Sequence, residues 1–206
     1  MIEQLNEILK NVLLAFYQPF WFSLLLAFLA MFAYMFSTIK GESGKGFRYS
    51  VLRWIELIRT SIIFRRLFIL CIFIGLLIFR TLLNRNLWLN PLENVVGNWK
   101  LVDCKNLTGK IVFAPEPIEN IILFVPLTFL GWNVYDATEK RDAFKFHKRL
   151  LITAKNSFII SLCIELLQLF LRLGTFQLSD LFFNTAGGII GLILYWIYNL
   201  IFRKQS

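Results

Sequence analysis

The sequence predicts an all-α integral membrane fold, and three observations predict it. Hydrophobic residues fill 57% of the 206 positions, with 17% aromatic and 22 Phe. Only 17% of positions are charged, against roughly 25% in soluble domains. The apolar residues also gather in runs near the ~20 residues that a helix needs to cross a hydrocarbon layer.

About five transmembrane helices follow in order. The first, 20–39, opens after Pro19 and closes at Lys40 and Gly41. The second, 67–83, starts beside Arg65 and Arg66 and carries Arg80 near its far end. The third, 118–134, contains Pro126; the fourth is 157–173 and the fifth 181–202. The short or charge-bearing spans require tilt, snorkelling or local thinning of the bilayer. Between the first two, Val51, Trp54, Ile55, Ile58 and Ile62 recur at helical spacing, with Tyr49, Arg53, Glu56 and Thr60 elsewhere on the wheel. That pattern predicts an amphipathic helix on the cytoplasmic surface of the membrane. Residues 84–117 form the longest connection, an outer loop in which Trp88 and Trp99 suit the headgroup belt. Within it, 99–102 and 110–113 are expected to pair as a small hairpin around 103–109. Residues 1–66 thus read as a first helix plus a basic amphipathic segment, and 67–206 as a four-helix membrane domain.

The net charge of +9 would point to nucleic acid in a soluble chain; here it fits basic loops, and no nucleic-acid partner is expected. Lys40, Lys45, Arg48, Arg53, Arg59, Arg65, Arg66, Lys140, Arg141, Lys145, Lys148, Arg149, Lys155, Arg203 and Lys204 fall on one side of this topology. Lys10, Arg80, Arg85, Lys100, Lys105, Lys110 and Arg172 fall on the other. Fifteen against seven puts the N-terminus outside and the C-terminus in the cytoplasm. Residues 1–10 carry Glu3 and Glu7 and have neither a signal peptide's basic start nor its cleavage site, so the first run is expected to be a retained helix. Cys71, Cys104 and Cys163 suggest no disulfide framework. The single His, His147, is expected in a charged loop. Neither a His-based metal site nor a Ser-His-Asp triad is therefore expected, and no cofactor motif is visible.

Chemistry is concentrated where polar groups interrupt the last two spans. Glu165, Gln168 and Arg172 are spaced i, i+3, i+7 and are expected on one helical face. Asp180 and Asn184 share a face of the fifth span, which continues as Gly187, Gly188 and Gly191, a stripe that admits close helix packing. Gly174 suits a helix C-terminus, and Ser179 or Asp180 the next N-cap. Arg80, Glu119 and Asn120 reach the same outer surface. Polar groups inside spans are costly in lipid and are candidates for function. Each alone suits a structural part: Glu165 paired with Arg172, Asn184 as interhelical glue, Asp180 as a cap. Their convergence in one leaflet half predicts an outward-open pocket with Arg80, Asn120, Glu165, Gln168, Arg172, Asp180 and Asn184 as ligand-binding candidates. Glu165 and Asp180 are the candidates for any catalytic part.

The same residues carry a family resemblance. The stretch 160–170 with Glu165 and Gln168, then Gly174, then 180–191 with Asp180, Asn184, Gly187, Gly188 and Gly191, resembles the VanZ-like family. So do 118–127, with Asn120, Phe124 and Pro126, and 87–92, with Asn90 and Pro91. Thr128 stands where the family usually has Gly, and Gln177 where an acidic residue is common. The resemblance implies a multispan bacterial plasma-membrane protein of a family named for a member associated with low-level teicoplanin resistance. Two functions stay open. One is a non-enzymatic pocket for an amphiphile, such as a polyprenyl-phosphate lipid or a lipoglycopeptide. The other is an intramembrane enzyme acting on a lipid-linked envelope substrate, although no nucleophile motif is visible. Transport is disfavoured by the absence of repeats, and the Gly stripe leaves self-association open.

Overall fold

A computed structural model of the chain describes residues 10, 13–14, 17–38, 46–105, 110–138 and 145–202. It bears out the all-α architecture. Helix α1 spans Phe20–Thr38, α2 Phe47–Thr60 and α3 Ile62–Ile78, which continues into a π-helical turn over Phe79–Leu83. After a two-stranded hairpin, β1 (Val102–Lys105) and β2 (Lys110–Phe113), come α4 (Pro115–Thr138), α5 (Phe146–Leu171) and α6 (Leu178–Phe202). Among the described residues all the helices but α2, five in total, are long and apolar enough to cross a membrane, and the chain is a multi-pass membrane protein by this architecture.

Local chemistry sets boundaries that differ from several expected ones. Ser61 accepts a hydrogen bond from the Phe64 N–H at 3.2 Å and caps α3, so that helix starts at Ile62 rather than at 67. Ile62 accordingly leaves the stripe assigned to the amphipathic helix. The buried face of α2 is Ser50, Trp54 and Leu57, with Ile55 exposed. Pro115 opens α4, where its missing N–H is no loss, and Glu116 faces the positive end of the helix dipole. Helix α5 begins at Phe146, eleven residues before the expected start, because the face it buries in its first turns is polar, with Arg149 and Thr153, which lowers the hydropathy without ending the helix. Its 26 residues make a rod of about 39 Å, and His147 sits on its first turn rather than in a loop. Replacing Ser61 with Ala should cost about 1 kcal/mol by loss of the cap. Thermal unfolding in detergent, read by circular dichroism, measures it.

The helices pack in an up-and-down order. Ser23, Phe28 and Tyr34 of α1 meet Gly75, Phe68 and Phe64 of α3, running antiparallel. Trp54 anchors α2 between them, stacked on Phe28 at 4.6 Å and edge-on to Phe64 and Phe68. A second cluster, Leu77, Phe124, Leu127 and Ile164, joins α3, α4 and α5. A third, Trp132, Leu192 and Tyr195, joins α4 to α6. Helix α4 lies closely along α6 and touches α5 only sparsely.

The hairpin pairs Val102 with Phe113 and closes with Lys105 opposite Lys110. Its first strand therefore lies three residues beyond the expected 99–102. Pairing runs on to the turn, and Trp99 is drawn instead onto Phe182 and Phe183 of α6, at 5.4 and 6.2 Å. The preceding loop closes over the α5–α6 connection, since the Trp88 N–H donates to the Arg172 carbonyl and the Leu178 N–H to that of Val95, both at 2.8 Å. Arg48, Arg53, Arg59, Arg65, Arg66, Lys145, Lys148 and Arg149 lie on α2 or at the helix ends next to it, at the opposite end of the bundle, whereas Lys155 lies two and a half turns inside α5. Lys40, Lys45, Lys140, Arg141, Arg203, Lys204 and the acidic start with Glu3 and Glu7 lie outside the described residues.

Candidate functional site

Glu165 and Gln168 belong to a longer polar line than their spacing alone implies. Along α5, Arg149, Thr153, Ser157, Ser161 and Glu165 recur every four residues, one turn apart on one face. All of them, with Gln168, are at most 3% exposed. Four of these five levels, and Gln168, have a polar partner in a neighbouring element. Arg149 pairs with Asp136 of α4 at 2.9 Å, and the Tyr195 hydroxyl donates to Asp136 at 2.6 Å. The Arg149 guanidinium also lies 4.7 Å from the Trp132 ring centroid, and Trp132 donates its Nε1–H to Thr153 at 2.8 Å. Asn184 donates to Ser161 at 2.9 Å, and Gln168 donates to the Thr81 carbonyl in the π turn of α3 at 2.7 Å. Glu165 accepts from the Gln177 N–H at 2.8 Å, tying α5 to the loop before α6.

At the hairpin end, the helix ends and the covering loop enclose a polar pocket of about 360 Å³. Arg80, Arg85, Glu119, Asn120, Gln177 and Asp180 line it, with Glu116 and Trp88 also contributing. Arg80 is engaged by Glu119 at 2.5 Å. Asp180 interacts with Ser179 and Asn120 and faces the Arg85 guanidinium. Behind it, Glu165 lies within reach of both Asp180 and Arg85. Two guanidinium groups and three carboxylates thus share the pocket wall, with Glu165 as a further carboxylate beneath it.

Three of the seven ligand-binding candidates, Arg80, Asn120 and Asp180, line this pocket. Glu165 underlies it. Gln168 and Asn184 are turned into helix contacts at α3 and α5. Arg172 departs from the expected face because α5 ends at Leu171: Arg172 is the left-handed cap, with φ 55°, and it is exposed. The i+7 relation to Glu165 therefore does not reach it, and the two do not pair. Gly174 is not the cap either; it takes φ 132° two residues later, in the turn. Since α6 starts at Leu178, Ser179 and Asp180 lie in its first turn rather than at its N-cap.

Arg85 occupies the cationic place that Arg172 was expected to take. Its charge was visible, but the π turn and the loop after it displace the helical wheel that would have aimed it. Asp136, Thr153, Ser157 and Ser161 were also missed, although the four-residue spacing back from Glu165 was a usable signal. Among the described residues, no group of three His, Cys, Asp or Glu side chains is arranged to hold a metal ion.

The glycine stripe is occupied from within the chain. A Cβ on Gly187 would come 2.4 Å from the Ile121 carbonyl oxygen, and one on Gly191 2.2 Å from that of Val125. Gly188 faces Ser157 and lends its carbonyl to the Thr128 hydroxyl at 2.9 Å. Thr128, where the resemblance leads one to expect Gly, thus acts as a bond between α4 and α6.

No curated protein and no solved structure matches the chain. A family model described as VanZ/LLP1 matches residues 20–201, from the first residue of α1 to the last turn of α6. The helix pair with Glu165, Asp180 and the glycine stripe lies within that match, as does the pocket built upon it. The chain belongs to the VanZ/LLP1 family.

Proposed function

We propose that this protein holds the polar head of an amphiphile in the hairpin-end pocket, in the outer leaflet half of a bacterial plasma membrane, and so lowers sensitivity to lipoglycopeptides such as teicoplanin. The observation that carries this reading is the pocket of about 360 Å³ at the ends of the spans, with guanidinium, carboxylate and amide groups in one wall. The basic residues concentrated at the opposite end support an outward-facing pocket, with the N-terminus outside and the C-terminus in the cytoplasm. Arg80 and Arg85 meet anionic groups, as on a polyprenyl phosphate or a glycopeptide. Asn120, Gln177 and Asp180 fix orientation. Glu165, Gln168 and Asn184 hold the helices beneath, and Arg172 meets headgroups at the surface.

One observation favours a second reading. Glu165 and Asp180 lie within interaction distance beside Arg85, a disposition suited to an acid–base pair with an adjacent anion stabiliser. That reading is an intramembrane enzyme acting on a lipid-linked envelope substrate.

Two measurements separate these readings. Purified protein is titrated with teicoplanin and, separately, with undecaprenyl phosphate, and the gene is expressed in a teicoplanin-susceptible host. Arg85→Gln should weaken binding roughly tenfold, the worth of one charge-assisted bond, and abolish the gain in tolerance at matched membrane levels. Wild-type affinity and tolerance in that variant would sink the pocket reading. Turnover of a radiolabelled lipid-linked precursor that Glu165→Gln abolishes would establish the enzyme instead.

A further inference from the structure

An anionic group alone does not account for the hairpin-end pocket. Its wall sets Arg80 and Arg85 against Glu116, Glu119 and Asp180, which leaves one net negative formal charge. Glu119 already engages Arg80 at 2.5 Å, and Arg85 faces both Asp180 and Glu165. A phosphate monoester, at about −1.5 to −2 charge, therefore meets cations whose field the carboxylates have largely cancelled. A bare ammonium group fares no better, because both guanidinium groups oppose it.

The wall suits a neutral group rich in hydroxyls. Carboxylates only accept hydrogen bonds and guanidinium groups only donate them, whereas the amides of Asn84, Asn86, Asn120 and Gln177 do both. A hydroxyl donates once and accepts twice, so neighbouring hydroxyls can meet all three kinds of side chain. The volume of about 360 Å³ falls in the range of ~300–1,000 Å³ that small-molecule sites occupy, more than a phosphate needs. Trp88 adds an aromatic ring to the same wall. Its backbone N–H donates to the Arg172 carbonyl at 2.8 Å and its Nε1–H to Glu93 at 3.2 Å, yet the residue stays 45% exposed. The indole is thus held in place with surface to spare, and the C–H face of a pyranose packs on such a ring.

We infer that the pocket seats a sugar, so that its ligand is a glycosylated amphiphile, with the pyranose against Trp88 and its hydroxyls on the amides and carboxylates. This rests on the reading that the pocket holds an amphiphile's polar head, and it names the class of that head.

The test offers the full chain, in a detergent without a sugar head, equal amounts of undecaprenyl phosphate and of the same lipid with one glucose on its phosphate. Native mass spectrometry reads which is retained. The sugar turns the phosphate into a diester and lowers its charge, so a site for anions prefers the bare phosphate and a site for sugars prefers the glycosylated lipid. The glycosylated lipid should be preferred at least tenfold, the worth of one or two net hydrogen bonds. Trp88→Ala should weaken it roughly three- to tenfold and leave the bare phosphate unchanged, while Trp88→Phe, which keeps a ring, should retain most of the preference. A parallel loss for teicoplanin in Trp88→Ala assigns the sugar to the glycopeptide as well, and a loss confined to the glycolipid assigns it to the lipid; either supports the seat. Preference for the bare phosphate, or equal weakening of both lipids in Trp88→Ala, would overturn the sugar seat and leave the amphiphile pocket standing. Retention of neither lipid, with no binding of teicoplanin, would remove the pocket reading and this inference with it.

Discussion

Asp136→Ala should destabilise the folded chain by roughly 3–5 kcal/mol, the cost of leaving a buried charge without its partner. The Asp136 and Arg149 side chains are each only 4% exposed, so water cannot replace the lost carboxylate. The Tyr195 hydroxyl loses its acceptor in the same step. The Trp132 ring beside Arg149 offers attraction of about 2 kcal/mol, less than the cost of holding a bare guanidinium out of water. Three helices, α4, α5 and α6, meet at this point, so the damage should spread along the bundle rather than stay local. Arg149→Met should cost a similar amount through the orphaned carboxylate. Asp136→Leu combined with Arg149→Met should cost less than either single change, because it removes both desolvated charges together. Unfolding in mixed micelles of rising SDS content, followed by circular dichroism, gives all four corners of the cycle. Additive costs would show that the pair contributes no coupling.

This ion pair also shows what the sequence conceals. Arg149 carries the right charge for a loop at the basic end, and nothing local distinguishes it from Lys145 or Lys148. Only its phase with Thr153, Ser157, Ser161 and Glu165 marks it as inward-facing, and that phase becomes meaningful once α5 is known to start at Phe146. Hydropathy finds where a helix enters lipid, not where the helix begins, so the spans were legible while their first turns were not. Glu165, Asp180 and the glycines were legible for a simpler reason: polar and small residues stand out against Leu, Ile and Phe. Arg172 and Arg85 exchanged places because a left-handed cap at φ 55° and a π turn each break the wheel on which the expectation rested. The Trp54 anchor was visible as an apolar stripe, but its docking on Phe28 and Phe64 depends on contacts distant in sequence.

Gly191→Leu should be more damaging than the same change at Gly188, costing roughly 3 kcal/mol or more, at the upper end of overpacking penalties. The reason lies in what each glycine faces. At Gly191 even a Cβ would sit 2.2 Å from the Val125 carbonyl oxygen and 2.0 Å from the Thr128 hydroxyl. The first of these is backbone and cannot rotate away, so α4 and α6 must separate. At Gly188 the nearest atoms belong to the Ser157 side chain, its Oγ at 2.0 Å and its Cβ at 2.8 Å. Gly188→Ala should therefore be partly rescued by Ser157→Gly, whereas Gly191→Ala should not be rescued by Thr128→Ser or Thr128→Ala. Gly131→Ala supplies the control, since open space surrounds that position. Retention of monomeric protein on size exclusion after heating distinguishes these cases. Equal tolerance at 131 and 191 would mean that α4 and α6 are not in the close contact described. The contrast bears on function because the same two helices carry Asn120 and Asp180 into the hairpin-end pocket. Forcing them apart displaces both groups without touching either, so a loss of binding in Gly191→Leu reports on the scaffold, while a loss in Arg85→Gln reports on the site.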